Sequence, residues 1–275
     1  MLILYEVLAL LFTALAIGII GNLVGIGGGV LLMVVLLFGF NIPPIMASGL
    51  RLLTILVSAG IGTISNAKQK ALSRMLFVLV AVFAGIGAIL GSILSYHIGT
   101  RTFDALFGLV SIGIGLFSIF VTHNDAKKLA GIEKSFASLT ESEKAYAKGN
   151  IKGKSSIGLA SVIAGLIAGI FGIGIGGIVG TYLTAIKKMQ PKIAFSTVLA
   201  AMIVTSILGS LLHLASIRFT ISFLVIILSL AVGAGIGAIA GSHISSRLKS
   251  SKLRFAQGYI ILSIGIIALL FSFFY

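Results

Sequence analysis

Few side chains in this sequence can do chemistry, and those few lie among apolar neighbours. Cysteine is absent, Asp and Glu number 6 against 20 Lys and Arg, and residues 144–275 contain no acid at all. Thiol redox chemistry, disulfides and thiolate metal sites are therefore excluded. Carboxylates are too scarce for a Na⁺ or other metal site, which takes several oxygen ligands. There is no H-E-x-x-H stretch and no pair of aspartates, so neither an enzyme nor a resident cofactor is expected. What remains is Arg51, an arginine in apolar sequence, and groups able to donate hydrogen bonds: Asn22, Ser48, Thr54, Ser58 and Thr63, then Ser196, Thr197, Thr205, Ser210 and His213. An ionisable group at membrane depth is a functional candidate by default. Arg51 has two readings: it pairs with an anionic substrate, or its stem snorkels to the outer interface. His97, His213 and His243 fall near helix ends, where an interfacial role is expected, and Asp104 is expected to pair with Arg101 at a helix start.

The other candidates are backbone groups. GNLVGIGGGV at Gly21–Val30 and GIGIGG at Gly172–Gly177 place glycines inside runs apolar enough to cross a bilayer. Glycine weakens a helix interior by about 1 kcal/mol relative to alanine, so each cluster predicts a break. The elements that follow, 28–40 and 175–186, reach only about 19 Å as helix against a hydrocarbon core of about 30 Å, and read as half-length or re-entrant. A break in lipid frees N–H groups that only protein, water or ligand can satisfy. The helix restarting after it presents its first N–H groups and the positive end of its dipole to the gap, which suits an anion. The candidate substrate contacts are thus Asn22, Gly25, Gly27, Gly28, Gly29, Ser48 and Arg51 in the first half, and Gly172, Gly174, Gly176, Gly177, Ser196 and Thr197 in the second. Gly172, Gly174 and Gly177 also fit the dinucleotide pattern G-x-G-x-x-G, but no strand precedes them and no acid follows to hold a ribose. The pairs Gly87/Gly91 and Gly237/Gly241 are read as close-packing positions.

The elements that must position these groups follow from composition. The 275 residues are 58% hydrophobic and 9% charged, in continuous apolar runs without the alternation of barrel strands. An all-α polytopic membrane protein is expected, with 8–10 transmembrane segments and a retained N-terminal span. The net charge of +14 is scattered among short loops, which points to topology and not to nucleic acid. Self-similarity divides the chain. GIGGG at Gly25–Gly29 matches GIGIG at Gly172–Gly176, and at the same offset Pro44 falls on Pro191; after three inserted residues AGIGAILGS at Ala84–Ser92 falls on AGIGAIAGS at Ala234–Ser242, and Gly108 on Gly258. The first repeat is read as 1–122, the second as 157–275, and 123–156 as a charged linker. Each repeat parses into five apolar elements, about 4–24, 28–40, 45–65, 75–96 and 104–121, then 157–171, 175–186, 193–212, 221–242 and 254–274.

If the glycine-broken pair of each repeat returns the chain to the side it left, 17 of the 20 Lys and Arg collect on one face and only Arg51, Arg101 and Arg218 fall elsewhere. Cytoplasmic loops hold such an excess. The N-terminus is therefore expected outside and the lysine-rich linker in the cytoplasm of a cell-membrane protein. An odd number of elements per repeat then makes the repeats inverted, an arrangement that in transporters places the substrate between them.

The glycine break GNLVGIGGG, the Pro43-Pro44 loop, Ala47-Ser48, Gly62-Thr63 and the second copy GIFGIGIGG with Pro191 resemble the TauE/SafE family, sulfite exporters and permeases for organosulfur anions. The second copy departs from the first at Ile175, where the first has a glycine. The resemblance implies a secondary transporter of small sulfur-containing anions such as sulfite or sulfonates. Export by alternating access is the expected mode, with a passive anion channel or an uptake permease as alternatives. The expected partners are the small anion and the bilayer, with an oligomer left open.

Overall fold

The computed structural model describes residues 2–24, 29–67, 72–132, 153–187, 189, 191–215, 220–245 and 250–274. Every element among them is helical. In the first half they are α1 (Leu2–Val24), α2 (Gly29–Val34), α3 (Pro44–Ala67), α4 (Arg74–Ser95) and α5 (Thr100–Ile132). In the second they are α6 (Lys154–Phe171), α7 (Gly176–Thr181), α8 (Pro191–Leu214), α9 (Ile221–Ser245) and α10 (Ser250–Phe274). The ten predicted elements fall on these helices within a few residues, except that α5 runs on to Ile132, into the stretch read as linker. Seven of the helices are long and apolar enough to span a bilayer, with Val7–Gly21 and Gly29–Gly39 as shorter apolar segments.

The two short helices are built alike. Each runs on into a widened turn, α2 into Val35–Gly39 and α7 into Tyr182–Ile186, positions that the repeat equates and that are counted with the two helices. The bonds that close the turns also correspond: Phe40 N–H to Val35 O (3.0 Å) and Ile42 N–H to Leu36 O (2.9 Å), against Lys187 N–H to Tyr182 O (3.2 Å) and Met189 N–H to Leu183 O (3.0 Å). Widened turns of this kind concentrate at functional sites. Even with the turn included, Gly29–Gly39 reaches only about 16 Å. At the far end of the second copy, Lys187 Nζ lies beside Gly153, just ahead of α6, so the α6–α7 pair brings the chain back to where it entered.

Glycines set the helix pairing. Gly165 and Gly169 of α6 lie on Ala84 and Ala88 of α4, and Gly87 and Gly91 answer on Val162 and Leu166, so α4 and α6 run parallel in close backbone contact. The same holds for α1 and α9, where Gly233 meets Leu11 and Gly237 meets Leu15 and Gly18. A side chain at these positions would enter the partner's backbone, so they pack helices as small-residue interfaces in membranes do. The other main pairs run antiparallel. Gly108 of α5 meets Leu269 of α10 while Gly115 meets Leu262; Gly49 of α3 meets Leu214 of α8 while Gly62 meets Leu199.

Two buried clusters hold the halves of the bundle. One gathers Met33 and Leu36 of α2 with Phe103, Phe107 and Phe171; the other gathers Val179 and Leu183 of α7 with Ile55, Ala164 and Met202. Each short helix is therefore buried in protein, the condition for irregular backbone at membrane depth. The outward faces stay apolar, with Leu90 of α4, Leu116 of α5 and Leu211 of α8 all exposed. Such a surface fits lipid.

Candidate functional site

The second break is a chain link between α6 and α7. Gly172 and Gly174 adopt φ of +64° and +73°, left-handed values that glycine reaches without strain. α3 lies across this link: Gly172 sits against the Ser48 backbone and the Arg51 Cβ. From there the Arg51 side chain turns inward. A Cβ added to Gly29, the first residue of α2, would strike Arg51 Nη2 and stand 2.7 Å from the Ile173 carbonyl oxygen. The guanidinium thus lies between the start of α2 and the link after α6, and one arginine brings both breaks together.

Arg51 is 0% exposed, so it does not snorkel. Its Nε and Nη2 have no hydrogen-bond partner among the described residues. A buried guanidinium with open donors is a strong demand for an acceptor, because burial removes the water that would otherwise supply one.

Two carbonyl groups at the end of α6, which would repel an anion, are already engaged. At the end of α6, Gly169 O accepts from His213 Nε2 at 2.6 Å and from Ser92 Oγ at 3.5 Å, and Ile170 O accepts from Ser48 Oγ at 3.2 Å. Donors from α3, α4 and α8 therefore quiet the negative end of α6. His213 lies in the last turn of α8, near the end of its span, where it is 0% exposed, bonded to α6, and stacked near Tyr96 with ring centroids 6.3 Å apart. His97 and His243 are exposed at helix ends, as expected.

The remaining candidates separate. Gly29, Ser48, Arg51 and Gly172 converge at the centre. Gly174 and Gly176 lie against Met202, with Ile55 also on Gly174, and Gly177 faces Gln257. Thr197 is elsewhere: its Oγ1 accepts from the Ser73 N–H at 3.2 Å, just before α4. Ser196 is buried on α8. Thr54, Ser58, Thr205 and Ser210 bond back to carbonyls of their own helices. Gly25, Gly27, Gly28 and the side chain of Asn22 lie outside the described residues.

Two features had not been read from the sequence. Gln257 of α10 is 2% exposed and its Nε2 has no partner among the described residues. A cavity of about 560 Å³ opens where α2, α3, α5 and α10 meet, lined by Asn41, Pro43, Pro44, Arg101, Asp104 and Ser272 among others. The expected Arg101–Asp104 pair is not formed: Asp104 Oδ1 is buried without a partner among the described residues, and both residues line the cavity instead. Next to Asp104, Phe103 and one turn later Phe107 meet the Phe171 ring, at centroid distances of 5.1 and 5.9 Å. Phe171 directly precedes the glycine link.

Comparison with known proteins agrees with a bundle of membrane-spanning helices. The sequence matches the family described as Sulfite exporter TauE/SafE over residues 10–268, nearly the whole chain and both halves. The chain belongs to the TauE/SafE family. It is similar to a protein described as "Probable membrane transporter protein YunE" from Bacillus subtilis (strain 168), at 26% identity over 211 residues, covering 72% of this chain and 75% of that one. No solved structure matches it. As a member of TauE/SafE, this chain is a multi-pass membrane transporter and not an enzyme. Both breaks and Arg51 lie within the span that carries the membership.

Proposed function

We propose that this transporter carries a small sulfur-containing oxyanion, sulfite or a sulfonate, held at Arg51 between the two broken helices. The observation that carries this reading is the buried guanidinium, with Nε and Nη2 open, set against Gly29 and the link Gly172–Ile175. The family's description as sulfite exporters supports the sulfur oxyanion. The first N–H groups of α2 and α7 would complete the anion's shell once it neutralises Arg51.

The relation between the halves supports alternating access. Third elements α3 and α8, and fifth elements α5 and α10, run antiparallel, while the first element of each half packs parallel on the fourth of the other. These directions support inverted repeats over a parallel duplication. Two inverted halves can rock about a fixed centre. That Arg51 is 0% exposed favours an occluded carrier over a passive channel.

The expected orientation has the N-terminus outside and the lysine-rich linker in the cytoplasm. Export of one negative charge then releases about 2.3 kcal/mol per 100 mV of inside-negative potential. Outward movement can therefore run uphill without a second ion. Right-side-out vesicles loaded with sulfite should lose it faster when an inside-negative potential is applied, with saturable kinetics. Loss that is independent of the protein, or that rises without saturation, would refute the carrier.

A further inference from the structure

We propose that Gln257 is a further contact of the transported anion, a carboxamide on α10 that donates to it from the side opposite Phe107. The inference rests on the anion reading above and adds a residue to the same site. Gln257 is 2% exposed, and its Nε2 has no hydrogen-bond partner among the described residues. It faces the opening of α7, where a Cβ on Gly177 would stand 3.5 Å from Nε2. Gly177 follows the link that flanks Arg51, so two buried open donors border one stretch of chain from Gly172 to Gly177. A buried N–H donor left without an acceptor destabilises the fold that holds it. An acceptor that arrives and leaves resolves this.

The equivalent position in the first half sharpens the point. Gly108 and Gly258 correspond, so Phe107 stands where Gln257 stands. Phe107 is 0% exposed and packed against Phe171. Because α5 and α10 run antiparallel, the two residues lie toward opposite ends of the bundle. One end of the centre is closed by aromatic rings and the other carries an amide. A neutral donor guides an anion without adding a second charge that would hold it too tightly to release. The ligand class this selects is an oxyanion with oxygens in more than one direction, able to accept from Arg51 and Gln257 at once.

The test uses the full chain purified in detergent and titrated with sulfite and with methanesulfonate, reading affinity by calorimetry and melting with and without anion. Gln257→Leu should weaken both anions about ten- to a hundredfold, the effect of one hydrogen bond to a charged group. Its anion-free melting temperature should stay level or rise, because the open donor is gone. Gln257→Glu, of the same shape but charged, should weaken binding further, and Gln257→Asn should retain part of it. If Gln257→Leu does not fold, the Glu and Asn variants decide by the same criterion. Anion affinity within twofold of wild type in these variants, with Arg51→Gln abolishing it, would overturn the role of Gln257 and leave the Arg51 reading standing. A wild-type protein that neither binds nor transports either anion would overturn both.

Discussion

The two halves of this transporter share a scaffold and divide the chemistry. Each has a short helix after a glycine break, widened at equivalent positions and followed by a proline that opens the next long helix. Yet the first half supplies the charge. Arg51 falls on Val198 in the alignment, and where the second half puts Gln257 the first puts Phe107. The second half contributes the fully described link, with left-handed Gly172 and Gly174, and the carbonyl end of α6 that His213, Ser92 and Ser48 restrain. Duplicated backbone can thus carry an unsymmetrical set of side chains, with Arg51 and Phe107 in one half where Val198 and Gln257 stand in the other. Backbone geometry tolerates little change because it must bury itself in lipid, whereas single side chains at the centre are free to diverge.

The comparison breaks most completely at Arg51. Arg51→Leu should abolish anion-dependent thermal stabilisation and lower sulfite transport at least a hundredfold, since two hydrogen bonds to a charged group, about 1.5–3 kcal/mol each, are lost. The anion-free protein should melt at the same temperature or higher, because a buried unpaired charge is replaced by a side chain that suits its surroundings. A large fall in melting temperature would mean that Arg51 holds the fold and not the anion. Arg51→Lys should recover only a fraction of transport, as an ammonium lacks the planar fork.

Gly29→Ala tests whether the first break has to stand so close to the arginine. The new methyl would occupy the place of Arg51 Nη2 and crowd the Ile173 carbonyl. Overpacking of this kind costs about 1–3 kcal/mol, and the guanidinium must move to relieve it. Transport should fall about tenfold, with weaker affinity accounting for most of the loss. Gly60→Ala in the same half has open space around it and should change neither stability nor transport.

A smaller effect is expected where the second half restrains α6. His213→Leu removes the 2.6 Å donor to Gly169 O, leaving Ser92 at 3.5 Å as the other donor described there. The loss of one buried hydrogen bond should lower unfolding free energy by about 1–3 kcal/mol. Anion affinity should change less than threefold, as His213 touches the helix end and not the gap.

How far the site could be read from the sequence divides along the same line. Periodicity and glycine clusters act locally along the chain, so all ten elements and the second break were legible from them, while the first break falls on residues outside those described. Arg51 was legible as a candidate because a charge in apolar sequence is conspicuous. Its burial was not, since whether it reaches the outer interface or the centre depends on how α2 and α6 pack against α3. The bond of His213 was not legible for the same reason: a residue near the end of α8 meets Gly169 of α6, which lies 44 positions away in the chain. The Arg101–Asp104 pair failed because three-residue spacing permits a contact without requiring one. Gln257 went unnoticed for want of charge, although its alignment with Phe107 was open to inspection.

The smallest effect belongs to Thr197, and it decides whether hydroxyl groups of the second half take part in binding at all. Its Oγ1 accepts from the Ser73 N–H at 3.2 Å, satisfying a backbone donor ahead of the first turn of α4 that has no helical carbonyl to bond. Thr197→Val keeps the shape and removes the acceptor. Loss of a cap of this kind costs about 1 kcal/mol, so a modest fall in the melting temperature is expected with no change in sulfite affinity or transport rate. Thr197→Ser, which restores the oxygen, should recover the stability. Should Thr197→Val instead weaken anion binding while melting normally, the division proposed between the halves would fail, because the second half would then supply side-chain donors from α8 as the first does from α3.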